Sequence, residues 1–114
     1  MTALARWLEA MRDLSRLPDA VTEDIRIERF APAPRDAPAA APEQVIVGLA
    51  AVETWLRRTP KNVAFELAGE PVSDGDRLTV EYLYRADGWS NGGTWTVRLA
   101  GDRIAELAHR PYEF

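Results

Sequence analysis

His109 is the only imidazole in the 114 residues, so it is the one side chain expected to titrate near neutral pH without a special environment. That makes it the first candidate for proton transfer, provided a second group orients it. Tyr82, Tyr84 and Glu106 are the partners its position suggests. The competing reading is a structural histidine near the end of the last strand.

Trp7, Trp55, Tyr82, Tyr84 and Trp95 join a large apolar contact area to one hydrogen-bonding handle each, which suits them to the wall of a cavity for a flat apolar ligand. A small domain also needs large side chains simply to fill its interior, and Trp55 and Trp95 answer to that description. Tyr82 and Tyr84 are the stronger pocket candidates, because a buried hydroxyl needs a partner. Trp89 falls in a turn-rich stretch, residues 86–93, where it either closes over a pocket mouth as a lid or packs back on its own hairpin or a partner subunit. Ligand contacts are thus assigned to Trp7, Tyr82, Tyr84, Trp89 and Trp95, and catalysis, if any, to His109.

Other chemistries find less support. Glu66 and Glu81 are read as pairing with Arg98 across strands rather than as paired catalytic carboxylates. One histidine and no cysteine give no metal-binding constellation, and Asp74 and Asp76 around Gly75 read as turn residues. There is no Gly-rich phosphate loop and no Gly-x-Ser-x-Gly elbow, so no cofactor is expected.

Composition narrows the class of partner. With 14 basic and 18 acidic residues the net charge is −4, the wrong sign for phosphate backbones, so nucleic acid is not expected. Arg6, Glu9, Arg12 and Asp13 interrupt the N-terminal apolar run, which therefore does not read as a secretory signal. No window approaches the ~20 apolar residues of a membrane span. These features point to a cytoplasmic protein, and the length to a single domain over residues 1–114.

The elements that must position these residues follow from periodicity. Leu4, Trp7, Leu8, Met11 and Leu14 recur at helical spacing, predicting an amphipathic helix over residues 3–14 with Thr2 as N-cap. Ser15 and Pro18 predict a short second helix or turn over 16–21 with Ser15 as its cap. Ile25 and Ile27 alternate with Arg26 and Glu28 in a first strand over 25–30. Four prolines in residues 31–42 predict an extended, mobile loop. Leu49, Val52, Trp55 and Leu56 mark a helix over 48–58.

Period-two alternation then predicts four strands, over residues 62–72, 77–85, 94–100 and 103–110, joined as sequential antiparallel hairpins. Strand parity gathers Val63, Phe65, Leu67, Leu78, Val80, Tyr82, Tyr84, Trp95, Val97 and Leu99 on one apolar face. The other face holds Glu66, Thr79, Glu81, Leu83, Thr94, Thr96 and Arg98. It is either solvated or covered by a second subunit.

The order helix, short helix, strand, proline-bearing loop, helix and four-stranded meander resembles the nuclear transport factor 2-like superfamily. Its SnoaL-like polyketide-cyclase and ketosteroid-isomerase branches are the nearest in pattern. The local carriers are Glu23-Asp24-Ile25 before the first strand, Gly48 through Val52 to Trp55, and Gly101-Asp102-Arg103-Ile104. The resemblance implies an α+β fold in which a cystatin-like curved antiparallel sheet wraps N-terminal helices into a cone-shaped α+β barrel with an apolar pocket. It also implies frequent homodimers through the outer sheet face.

Members of that superfamily include isomerases, cyclases, epoxide hydrolases and proteins without catalysis. Where catalytic members carry a general-base aspartate late in the first strand, this chain has Glu28, Arg29 and Phe30, with Asp36 in the proline loop. Where isomerases carry a tyrosine in the first helix, it has Trp7. The expected function is binding of a small, largely apolar molecule in the cone, with isomerase, cyclase or hydrolase activity as its enzymatic form. The alternative is a non-catalytic dimerisation or scaffold domain.

Overall fold

A computed structural model describes residues 2–38, 40–59 and 63–113. Helix α1 (Ala3–Arg12) begins where the Thr2 hydroxyl accepts a hydrogen bond from the Ala5 amide at 3.1 Å, the expected cap. It buries Leu4, Trp7 and Ala10, with Leu8 and Met11 packed beside them. A 3₁₀ turn (Leu14–Arg16) and a short helix α2 (Leu17–Ala20) follow. The cap here is Asp13 rather than Ser15. The Asp13 carboxylate accepts from the Ser15 amide at 3.1 Å and the Ser15 hydroxyl at 2.7 Å, and these bonds hold its pKa below the usual carboxylate value.

Strand β1 (Val21–Arg29) starts four residues earlier than the alternation of Ile25 and Ile27 suggests. It is followed by β2 (Gln44–Val47), a strand the periodicity does not reveal. Of its four residues only Ile46 is buried, so β2 is held by the antiparallel ladder to β1 and carries almost no burial pattern. Gly48 then turns the chain into α3 (Leu49–Arg57), which buries Val52 and Leu56.

The predicted strand over residues 62–72 is two strands, β3 (Ala64–Leu67) and β4 (Val72–Asp74), both paired with β5 (Arg77–Ala86); its first residue, Asn62, lies outside the described residues. Pro71 has no amide to give to the ladder, and the pairing breaks between them. Strands β6 (Trp89–Ala100) and β7 (Arg103–Pro111) complete the sheet. Trp89 is therefore not in a loop. Asp87 and Gly88 make a two-residue turn, and Trp89 pairs with Ala86 as the first residue of β6.

The strand order is β2-β1-β7-β6-β5-β3, with β4 beside β5. The meander is antiparallel as expected, but β1 joins it in parallel alongside β7, which makes the sheet mixed. This α+β architecture, with helices on one face of a long sheet, is the cystatin-like fold.

The core lies between them. Ile25, Ile27, Val97, Ile104 and Leu107 are at most 1% exposed, and each such burial stabilises the fold by roughly 1.5–3 kcal/mol. The apolar face read from parity is the inner face, with Val80, Tyr82, Trp95 and Val97 buried.

On the outer face the expected pairing of Glu66 and Glu81 with Arg98 is replaced by other partners. Arg98 reaches Glu106 at 3.3 Å, Glu66 takes Arg85 at 3.0 Å, and Glu81 takes Arg35 at 2.8 Å. Arg35 also lies over the Tyr112 ring at 4.3 Å, and Ala33 bonds Pro111 and Glu113, which ties these two residues of the proline segment to residues 111–113.

Candidate functional site

A cavity of about 1010 Å³ opens between α1, α3 and the inner face of the sheet. A row of residues facing one another across four strands gives it its chemistry. Gln44 of β2 stands opposite Arg29 of β1, Arg29 opposite His109 of β7, His109 opposite Trp95 of β6, and Trp95 opposite Val80 of β5. Pairing in register brings their side chains onto neighbouring positions of one surface.

Within that row the Trp95 indole donates its Nε1–H to Nδ1 of His109 at 3.0 Å. The acceptor nitrogen cannot carry a proton, so the imidazole is the neutral tautomer protonated on Nε2. That proton points at the Tyr82 hydroxyl, 3.3 Å away. The Tyr82 oxygen is then the acceptor, and its own proton is left to be donated elsewhere.

Burial, followed by the positive charge of Arg29, pushes the His109 pKa down to about 4. Burial also raises the pKa of Tyr82, with Tyr112 and Tyr84 adding to it. At neutral pH both groups are uncharged hydrogen-bonding elements rather than an ionised pair.

The position of Tyr82 depends on glycine. Tyr82 stands opposite Gly93 of β6, and a methyl group on Gly93 would lie 2.4 Å from the tyrosine oxygen and 2.5 Å from the Arg110 carbonyl. The bare backbone lets the phenol ring lie across the strand, stacked on Trp95 with ring centroids 4.5 Å apart and on His109 at 5.2 Å.

Of the residues expected to meet a ligand, Trp7, Tyr82, Tyr84, Trp89, Trp95 and His109 all border the cavity. Tyr84 stacks on Phe65 at 5.4 Å and meets Trp89 edge-on at 4.9 Å. Trp55, read as core, borders it as well. Of the partners weighed for His109, Tyr82 is found, while Glu106 is engaged by Arg77 and Arg98. Trp95 is the orienting partner that was missed.

Arg29 was also missed as a site residue, although it shares strand parity with the buried Ile25 and Ile27. Its Nη1 donates to Gln44 at 2.8 Å and its guanidinium lies over the Trp55 ring at 5.4 Å. Among the described residues no grouping of His, Cys, Asp and Glu could hold a metal ion, and no helix is long and apolar enough to cross a membrane.

No protein-family profile matches the sequence, and no curated protein does. Solved structures do. A protein of unknown function from Mesorhizobium loti, described as like nuclear transport factor 2, superposes with a TM-score of 0.74 at 26% identity, over 97% of this chain and 88% of that one. A SnoaL-like family protein from Agrobacterium tumefaciens gives 0.72 at 20% identity, over 97% and 95%. An epoxide hydrolase of M. tuberculosis gives 0.67 at 18% identity, over 96% and 79%.

A mixed sheet folded over three helices around an aromatic cavity defines a cystatin-like α+β protein. Within that class, the fold is that of the nuclear transport factor 2-like superfamily.

Proposed function

We propose that this chain is a SnoaL-like domain that binds a small, largely apolar molecule in the cone. The observation that carries this reading is the cavity of about 1010 Å³ walled by stacked aromatic rings. It lies at the upper end of the size range of small-molecule sites. Tyr82 supplies a hydroxyl proton with no other use among the described residues, which fits a ligand bearing a carbonyl or hydroxyl oxygen. Titration with the neutral dye N-phenyl-1-naphthylamine tests the reading. Saturable enhancement of dye fluorescence that Trp95→Ala or Phe65→Ala weakens supports it, and absence of saturable binding overturns it.

The enzymatic form of this proposal rests on the order of donors, Trp95 to His109 to Tyr82. An oxygen of the ligand that gains negative charge during reaction would be stabilised by the Tyr82 hydroxyl, itself strengthened as a donor by the His109 Nε2–H. His109 then acts by holding a proton at Nε2 rather than by taking one up. In an assay of enolisable ketones, with water or a buffer base taking the α-proton while Tyr82 donates to the enolate oxygen, His109→Ala abolishes turnover while leaving the protein folded. Retention of turnover in that variant excludes the role.

A further inference from the structure

The walls of the cavity are electrically one-sided. Arg12, Arg29, Arg57 and Arg58 border it, and none of the 18 aspartates and glutamates does. The chain as a whole is acidic, with a net charge of −4, so composition does not produce this bias. Arg12, Arg57 and Arg58 are exposed and sit at the rim, while Arg29 is half-buried on the sheet. Arg57 is engaged by Glu53 one helical turn away.

Arg29 has no carboxylate partner among the described residues. A guanidinium has five N–H donors. One goes to the Gln44 side-chain oxygen, and the buried Nε–H meets no acceptor at all among the described residues. A partly desolvated cation is costly unless an anion compensates it, and a fixed planar fork of donors is the geometry that fits a carboxylate bidentately. Its strand neighbour His109 is neutral and Tyr82 keeps its proton, so nothing in the row supplies the missing negative charge.

We infer that the molecule bound in the cone is an acid, an apolar body carrying a carboxylate or a similarly acidic oxygen that pairs with Arg29. This rests on the cavity being a binding site, as proposed above, and adds the ligand's charge. The aromatic stack takes the apolar body, Arg29 takes the anion, and the rim arginines raise the local concentration of anions at the mouth. The in-register placement of Gln44 holds the guanidinium from the side away from His109.

Calorimetric titration with naphthalene-2-carboxylate and naphthalene-2-carboxamide tests the inference, since the two differ in charge and hardly in shape. The carboxylate is expected to bind the native protein at least about tenfold more tightly than the amide. Arg29→Gln is expected to bring the two within about twofold by weakening the acid alone. Arg77→Gln, which makes the same change in net charge on the outer face, keeps the full preference. Should Arg29→Gln fail to fold, Arg29→Lys is expected to retain a reduced preference, because a point charge replaces the fork.

Equal binding of acid and amide to the native protein overturns the anion and leaves the cavity reading standing. An unchanged preference in Arg29→Gln or Arg29→Lys overturns the role of Arg29. Binding of neither compound, together with no uptake of the neutral dye, overturns both proposals.

Discussion

Arg29 and His109 stand directly opposite each other where β1 runs parallel to β7. Two residues 80 positions apart in sequence, each following a pair of buried residues of the same parity, thus meet on the cavity side of the sheet. Burial, helped by the positive charge of Arg29, keeps His109 neutral, and Trp95 fixes which nitrogen of the imidazole carries the proton.

The pH dependence of stability follows from that neutrality. The pKa of His109 is about 4 in the folded chain against an ordinary 6.5 when unfolded, so between these values the unfolded state binds more protons. Its contribution is complete above about pH 6.5 and is lost as pH falls towards 4, a change on the order of 2–3 kcal/mol. Because the chain has one histidine, denaturant unfolding of His109→Leu should show a flatter dependence between pH 5 and 7 than the native protein. Identical slopes would contradict the assignment.

The tautomer is directly observable. Nitrogen-15 spectra of the imidazole should show a protonated Nε2 and an unprotonated Nδ1 at pH 7, the pattern set by the Trp95 donor. In Trp95→Phe the donor is gone and the spectrum should move towards a mixture of tautomers. A native spectrum with the proton on Nδ1 would rule out the donor order proposed for the site.

Gly93→Ala should destabilise the chain by about 1–3 kcal/mol, the usual cost of forcing an extra methyl into a packed site. The added carbon would lie 2.4 Å from the Tyr82 oxygen and 2.5 Å from a backbone carbonyl, so ring and strand must both move. Loss of the near-ultraviolet dichroism of the stacked rings should accompany the fall in midpoint. In the Tyr82→Ala background the penalty should shrink but persist, since the Arg110 carbonyl remains.

Gly48→Ala should cost a similar amount, about 1–3 kcal/mol, for a different reason. Gly48 has φ +97° and ψ 147°, a conformation open almost only to glycine, while nothing lies within 4 Å of the added methyl. Its amide bonds the Ile25 carbonyl at 2.8 Å and so fixes where α3 leaves β2. Thermal unfolding should therefore shift without any change in the aromatic spectrum, which separates strain at Gly48 from the clash at Gly93.

Alternation and helical spacing alone decided much of this protein. They determined α1 and its Thr2 cap, α3, the hairpins of β5, β6 and β7, and the inner face carrying Val80, Tyr82, Trp95 and Val97, because burial on one side of an element leaves a period in the chain. The aromatic wall of the cavity was legible for the same reason. So was the presence of Arg29 in phase with Ile25 and Ile27, although its meaning was not.

Tertiary structure decided what periodicity cannot encode. Strand β2 buries one residue and exists through its ladder to β1, so its sequence carries almost no signal. The tight turn at Asp87-Gly88 moved Trp89 from a loop into β6, since turn-forming residues such as Ser90 to Gly93 also sit within strands where a backbone approaches closely. Above all, the parallel docking of β1 on β7 is a long-range choice of neighbour and register. It alone set Arg29 beside His109 and turned an apolar pocket into one with a charge to satisfy.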